Sequence, residues 1–335
     1  MALRPLRSVG RNDAKAQGAG AAASARTAAT LATSDRRAAD VLRRLELDVT
    51  QRLDGILHGD YRGLVPGHGS EPGEAREYQA GDDVRRIDWS VTARMNSPHI
   101  RESVADRELE TWIVADRSAS LDFGTVTWEK RDLVLAASAG VGFLTSRGGN
   151  RIGGVVAGSD GVTTVPARQG RKHLLALLHQ IQQAARADAA PSMDIGDMLR
   201  RAAAVSRRRS LVVVISDWLD DPETWRHPLA ILGVRHEVLC IEVVDPRELE
   251  LPKVGVLTLI DTESGRTREI DTNNKGLRDR YAAAAVDQRS AISMAIAGSG
   301  AHHLQLRTDT DWLMDLARHV SSNRRRQANT GGRTR

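Results

Sequence analysis

The chain has 335 residues, 41% hydrophobic and 27% charged, the usage of an ordinary globular protein able to bury a sizeable core. No stretch approaches the roughly 18 consecutive apolar residues of a membrane-spanning helix, which argues against a membrane protein. The single cysteine, Cys240, rules out a disulfide framework within the chain and fits a reducing compartment.

Aromatics are only 3%, so the core must be built mainly from Leu, Val, Ile and Ala. The formal net charge of +5 would suit an acidic partner. Much of the excess lies at the ends, however: the stretch Arg318–Arg335 carries Arg324, Arg325, Arg326, Arg333 and Arg335 and no acid. A solvated basic tail is the plainer account, and nucleic acid is not the expected partner. The beginning of the chain has no apolar core of a secretory signal, so the protein is read as cytoplasmic.

Residues 1–35 are rich in Ala, Gly, Ser, Thr and Arg and are expected to be a disordered tail. Residues 36–108 are read as an N-terminal helix followed by a distinctive segment. The helix shows in the spacing of Ala38, Val41, Leu42, Leu45 and Val49. From Gly59 to Arg101, glycines and prolines punctuate a polar stretch, which predicts loops and short strands rather than helices. Within it Asp82, Asp83 and Asp88 alternate with Arg85, Arg86 and Arg94. That mixing favours a structural brace of Arg–carboxylate pairs anchored by Trp89, or else a docking surface or a second acidic site.

Strand and helix patterns alternate over residues 109–322. Trp112–Ala115, Ile152–Ala157, Leu211–Ile215, Val238–Val244 and His303–Leu306 read as strands, and Val162–Val165 could fold back on the second. Lys130–Thr145, Leu174–Ile181, Met198–Val205, Pro222–Leu232, Leu277–Ala297 and Trp312–Val320 read as helices. A hairpin is expected as an insertion at about 250–272, turning at Glu263-Ser264-Gly265, with a basic disordered tail over 323–335. The alternation predicts an α/β fold with a mainly parallel sheet, helices on both faces, and a ligand crevice at the carboxyl ends of the strands.

Two of those ends carry oxygen ligands. The first parallel strand runs into Asp116, Ser118 and Ser120, alternate residues able to share a face, and the LVVVI strand runs into Ser216-Asp217. Carboxylates and hydroxyls suit a hard cation such as Mg2+ or Mn2+, while the same residues also serve as ordinary caps and turn formers.

This constellation resembles the metal-ion-dependent adhesion site of von Willebrand factor A domains, with Asp116, Ser118, Ser120 and Asp217 as the metal ligands the resemblance implies. The run Glu77–Trp89, containing Gly81, Asp82, Asp83, Arg85, Arg86, Asp88 and Trp89, followed by Thr92-Ala93-Arg94, is similar to the signature of the bacterial family called domain of unknown function 58. Val244–Leu249 with Leu251-Pro252, and the pattern from Asp309 to Leu316, match it too. The resemblance implies a von Willebrand factor A-like (Rossmann-like) fold. It further implies a non-enzymatic adaptor that works with a MoxR-type AAA+ ATPase in a chaperone-like or assembly role. One departure stands out. Adhesion sites also use a Thr from a loop between the two Asp-bearing strands, and Pro166–His173 offers no Thr there but three basic side chains. A guanidinium from that loop could take the cation's place.

No phosphate-binding Gly-rich loop and no nucleophile–base pair is evident. The alternative is a metal-dependent hydrolase or nuclease in which the Asp cluster holds two cations. The triplet Arg207-Arg208-Arg209 reads most simply as a helix C-terminus complementing the dipole. The Asp245-Pro246-Arg247-Glu248 stretch reads as a surface turn closing a strand.

Overall fold

A computed structural model of the chain describes residues 42–47, 49–52, 75–78, 87–95, 97–101, 110–126, 128–146, 149–158, 161–184, 194–260 and 267–331. The chain divides into two compact units, 1–45 and 46–335. The described residues of the first, 42–45, are helical. The tail expected at 1–35, the stretch Gly81–Arg86 and the hairpin turn at Glu263–Gly265 lie outside the described residues. Everything below concerns the second unit.

Its described residues 46–47 and 49–52 are helical; then come β1 (Ala75–Glu77) and β2 (His99–Arg101), paired antiparallel, with helix α1 (Trp89–Met95) between them. The helix corrects the expectation of loops and strands alone. Asp88 starts it: its Oδ1 accepts the backbone N–H groups of Ser90 at 3.0 Å and Val91 at 3.2 Å, the office of an N-cap. The Thr92 hydroxyl accepts the His99 N–H at 3.0 Å and ties the helix to β2. Trp89 is not the buried anchor of an ionic brace, because its side chain is 72% exposed. Arg94 turns back onto its own helix, donating from Nε to the Ser90 carbonyl at 3.1 Å.

The remaining elements follow in order: β3 (Glu110–Asp116), α2 (Lys130–Ser146), β4 (Arg151–Gly158), β5 (Gly161–Arg168), α3 (Arg171–Gln183), α4 (Ile195–Val205) and β6 (Ser210–Ser216). Then come α5 (Pro222–Arg235), β7 (Glu237–Val244), α6 (Pro246–Leu249), β8 (Val256–Ile260), β9 (Thr267–Asp271), α7 (Lys275–Gly298), β10 (His302–Arg307) and α8 (Trp312–Gly331). Helix α8 runs well past the expected Val320. No Gly or Pro interrupts it before Gly331, so the backbone of the arginine-rich stretch after residue 323 is helical to that point.

Six strands form one sheet in the order β10-β7-β6-β3-β4-β5. Every neighbouring pair is parallel except β4–β5, which is antiparallel at the edge. This is the mainly parallel α/β sheet expected. Strands β8 and β9 form a separate antiparallel hairpin.

Strands β3 and β6 are buried at every position, as continuous apolar runs covered on both faces should be. On one face Trp112, Val114, Val212 and Val214 meet Met198 and Leu199 of α4, Trp225 of α5 and Ile292 of α7. Across the other face lies α2, which packs on β3, β4, β6 and β7 and is buried almost throughout. Its small residues allow this depth. A Cβ at Gly140 would come within 2.9 Å of the Leu316 side chain of α8. Burial of α2 carries its first residue, Lys130, out of solvent, and that places a charge beside the strand ends.

Candidate functional site

From β3 the chain winds outward to β4, then returns across the sheet to β6 on β3's other side. The gap between the carboxyl ends of β3 and β6 is therefore a topological switch point, where doubly wound sheets bind ligands. Asp116 ends β3 and Asp217 follows β6; they are 4% and 3% exposed.

Local hydrogen bonds fix both carboxylates. Asp116 Oδ1 accepts the Ser118 N–H at 2.8 Å, and Oδ2 accepts the Ser216 hydroxyl at 2.7 Å. The Ser118 and Ser120 hydroxyls are 3.0 Å apart, and the Ser120 hydroxyl is close enough to Asp217 to favour its charged form. The structure thus brings Asp116, Ser118, Ser120 and Asp217 into one connected arc. Trp218 sets the turn after Asp217, with a φ of 58°. That left-handed conformation is costly for a bulky residue and persists only under tertiary constraint. Trp218 is fully buried, donates from Nε1 to the Ile241 carbonyl at 3.2 Å, and packs edge-on against Trp225.

The charges are uneven. Burial, reinforced by Asp217 nearby, pushes Asp116 up to about 6, against the opposing pull of the Ser216 and Ser118 hydrogen bonds. Burial also pushes Asp217 up, but the Lys130 ammonium, 2.8 Å from its Oδ2, outweighs this and holds it below the ordinary carboxylate range. Burial works against the charge on Lys130, yet Asp217 and Glu248 raise its affinity for the proton overall. Arg289 extends the network to the Asp217 carbonyl at 3.1 Å, Glu242 at 2.8 Å and Glu248 at 3.2 Å. His303 and Gln305 complete it at Glu242, at 3.0 and 3.1 Å. Asp217, Glu242 and Glu248 thus share two permanent cations, Lys130 and Arg289. Among the described residues no basic side chain pairs with Asp116.

Several expectations are corrected here. The supposed basic loop 166–173 is mostly regular structure, since β5 extends to Arg168 and α3 begins at Arg171. Arg171 pairs with Glu46, and His173 Nε2 lies 3.0 Å from the Ile152 carbonyl. The cation at the crevice is Lys130. The Asp245–Glu248 stretch is no bland surface turn. Asp245 is fully buried and accepts hydrogen bonds from Thr125 N–H and hydroxyl at 2.9 and 2.6 Å, from Arg247 N–H at 2.9 Å and from the Thr308 hydroxyl at 2.9 Å. With Glu248 it forms a capping box that opens α6 and aims Glu248 at Lys130.

Two of the residues missed left a trace in the sequence. Lys130-Arg131 opens a helix where the dipole disfavours cations, and Glu242 interrupts an apolar strand. Arg289, on a long polar helix, left none. Asp88 belongs to the cap of α1, and Asp82 and Asp83 lie outside the described residues. Among the described residues, no three His, Cys, Asp or Glu side chains gather as a metal-binding cluster. The oxygen set at the crevice is two carboxylates with two hydroxyls, hard ligands that fit a cation such as Mg2+ or Mn2+ better than a soft one.

A doubly wound sheet with an antiparallel edge, carrying an acidic and hydroxyl-lined crevice at its switch point, makes this an α/β protein with a mainly parallel sheet. The chain belongs to the family described as protein of unknown function DUF58, whose model matches residues 74–291. It is 53% identical over 294 residues to the uncharacterized protein Rv1480 of Mycobacterium tuberculosis, covering 87% of this chain and 91% of that one. Among solved structures it overlaps an aerotolerance-related membrane protein from Bacteroides fragilis, with a TM-score of 0.42 and 13% identity over 64% of this chain and 98% of that one. It also overlaps the SpRpn10 VWA domain, with a TM-score of 0.36 and 12% identity over 63% of this chain and 94% of that one. No helix among the described residues is long and apolar enough to cross a membrane.

Proposed function

We propose that the protein is a non-enzymatic protein-binding module whose contact point is the crevice of Asp116, Ser118, Ser120 and Asp217, holding Mg2+ or Mn2+. The observation that carries this reading is Asp116: a buried carboxylate facing a second one, raised to about 6, with no basic partner among the described residues. When bound, a hard divalent cation there supplies a coordination position for an acidic group of the partner. Asp116 and Asp217 supply the charge, and the two serine hydroxyls add neutral oxygens. Ser216 and the Ser118 N–H keep Asp116 oriented, and Lys130 with Arg289 keeps Asp217 ionised and in place.

The partner in this reading is an AAA+ ATPase of the MoxR type, in the cytoplasm, with the module acting as an adaptor in a chaperone-like or assembly role. Support comes from the family's resemblance to adhesion-type modules and from a crevice whose described hydroxyls are tied to its carboxylates as orienting donors, as Ser216 is to Asp116. Titration calorimetry of Mg2+ and Mn2+ into the wild type and Asp116→Ala tests the cation. Heat is expected from the wild type alone, and equal heats from both would remove the site. Co-precipitation of a purified MoxR-type ATPase, expected with Mg2+ and lost with chelator or Asp116→Ala, tests the partner.

A further inference from the structure

At the opposite, amino-terminal edge of the same sheet, a groove of about 690 Å3 opens between α4 and β5. Strand β3 separates it from the crevice. Glu110 begins that strand and Asp116 ends it, about 20 Å apart at the usual rise per residue. The floor is apolar, formed in part by Pro166, Ala204 and Val205. Around it stand Arg201, near the end of α4, and Arg207 and Arg208, just after it, all three exposed.

A helix C-terminus accounts for a cation near α4, but not for three around one hollow. Arg201 donates from Nε to the Thr164 hydroxyl at 3.0 Å, an uncharged partner. Among the described residues no carboxylate pairs with Arg201, Arg207 or Arg208. Among the described residues the acid lining the groove is Glu110, already engaged, 3.4 Å from Arg151 and 3.4 Å from the Trp112 indole N–H. The arginine pair is also pinned at both ends. The Ser206 hydroxyl donates to the Ala202 carbonyl at 2.6 Å, and the Ser210 hydroxyl to the Arg208 carbonyl at 2.6 Å. A backbone held this way presents its side chains with less ordering entropy to lose on binding.

We propose that this groove is a second docking site, for an extended acidic peptide segment of a partner protein in which aliphatic side chains alternate with Asp or Glu. Guanidinium forks match carboxylates in geometry and charge. The apolar floor takes the aliphatic side chain between them. Single-stranded nucleic acid fits less well, because such sites offer exposed rings on which bases stack. The lining aromatic, Trp112, is only 4% exposed.

The test is fluorescence anisotropy on the full chain with three labelled probes: a short peptide of alternating Glu and Leu, its Gln-for-Glu counterpart, and a single-stranded oligonucleotide of equal charge. The Glu peptide is expected to bind, and the Gln peptide to bind at least about tenfold more weakly. The double variant Arg207→Glu/Arg208→Glu should weaken the Glu peptide at least about tenfold, and Arg201→Gln by less. Circular dichroism checks that the charge-reversed protein is folded, and Arg207→Gln/Arg208→Gln provides a milder second variant. Wild-type affinity in the variants, no binding of the Glu peptide, or tighter binding of the oligonucleotide would each overturn the proposal.

Discussion

Asp116 sits where an ionised carboxylate is unfavourable: out of water, beside a second carboxylate, with neutral donors from Ser118 and Ser216. An aspartate in the unfolded chain titrates near 3.9, as a general value. In the folded protein Asp116 titrates at about 6, so between those values the folded state binds more protons than the unfolded one. This group's contribution to stability therefore falls as pH rises from about 4 to about 6, and stays at its lower level above. Asp217 acts in the opposite sense: lowered by Lys130, it adds stability that is lost as pH falls through the acid range. Asp116→Asn separates the two. Without added metal, the variant is expected to gain on the order of 2 kcal/mol above pH 6 and to lose the pH 4–6 component, as read by denaturant unfolding across pH. Mg2+ should stabilise the wild type and leave the variant unchanged. A variant less stable than wild type above pH 6 would show that the Asp116 charge is compensated.

At the scale of elements, Asp245 joins parts of the chain that are remote in sequence: the turn at Thr125, the start of α6, and Thr308 after β10. Asp245→Ala is expected to cost about 2–4 kcal/mol, since several buried donors lose one ionised acceptor. It should also free Glu248 from its capping box, so a thermal-unfolding loss larger than that of Glu248→Gln is expected. The strands were legible in the sequence because a continuous apolar run buried on both faces leaves a contiguous signature, as in Leu211–Ile215. The short helices α1 and α6 were not. Each depends on a cap, Asp88 or Asp245, rather than on apolar periodicity, and Gly and Pro nearby pointed to loops. The serine and aspartate arrangement of the crevice was legible because Asp116, Ser118 and Ser120 lie within five residues. Lys130, Glu248 and Arg289 were not, because long-range packing alone makes them neighbours.

Over the whole molecule, the acidic crevice and the arginine groove stand at opposite ends of one strand, β3. Sites so far apart without shared partners should act additively. Asp116→Ala is expected to leave acidic-peptide affinity unchanged, and Arg207→Glu/Arg208→Glu to leave the Mg2+ heats unchanged. A change in either cross-measurement would reveal coupling through the sheet.

By itself the sequence determined the alternation of strands and helices, hence the mainly parallel sheet, and it placed carboxylate and hydroxyl groups at two strand ends. These features are local, written in apolar runs and in spacings of a few residues. Only the tertiary structure decided that β3 and β6 are neighbours across a switch point, and that burial of α2 carries the Lys130 ammonium to Asp217. It alone gathered Glu248 and Arg289 around that ammonium and left Asp116, among the described residues, without an ion-pair partner. The reason is electrostatic: a buried group's charge state follows from every charge packed near it, and those neighbours can be remote in the chain, as Glu248 is from Lys130, 118 residues away.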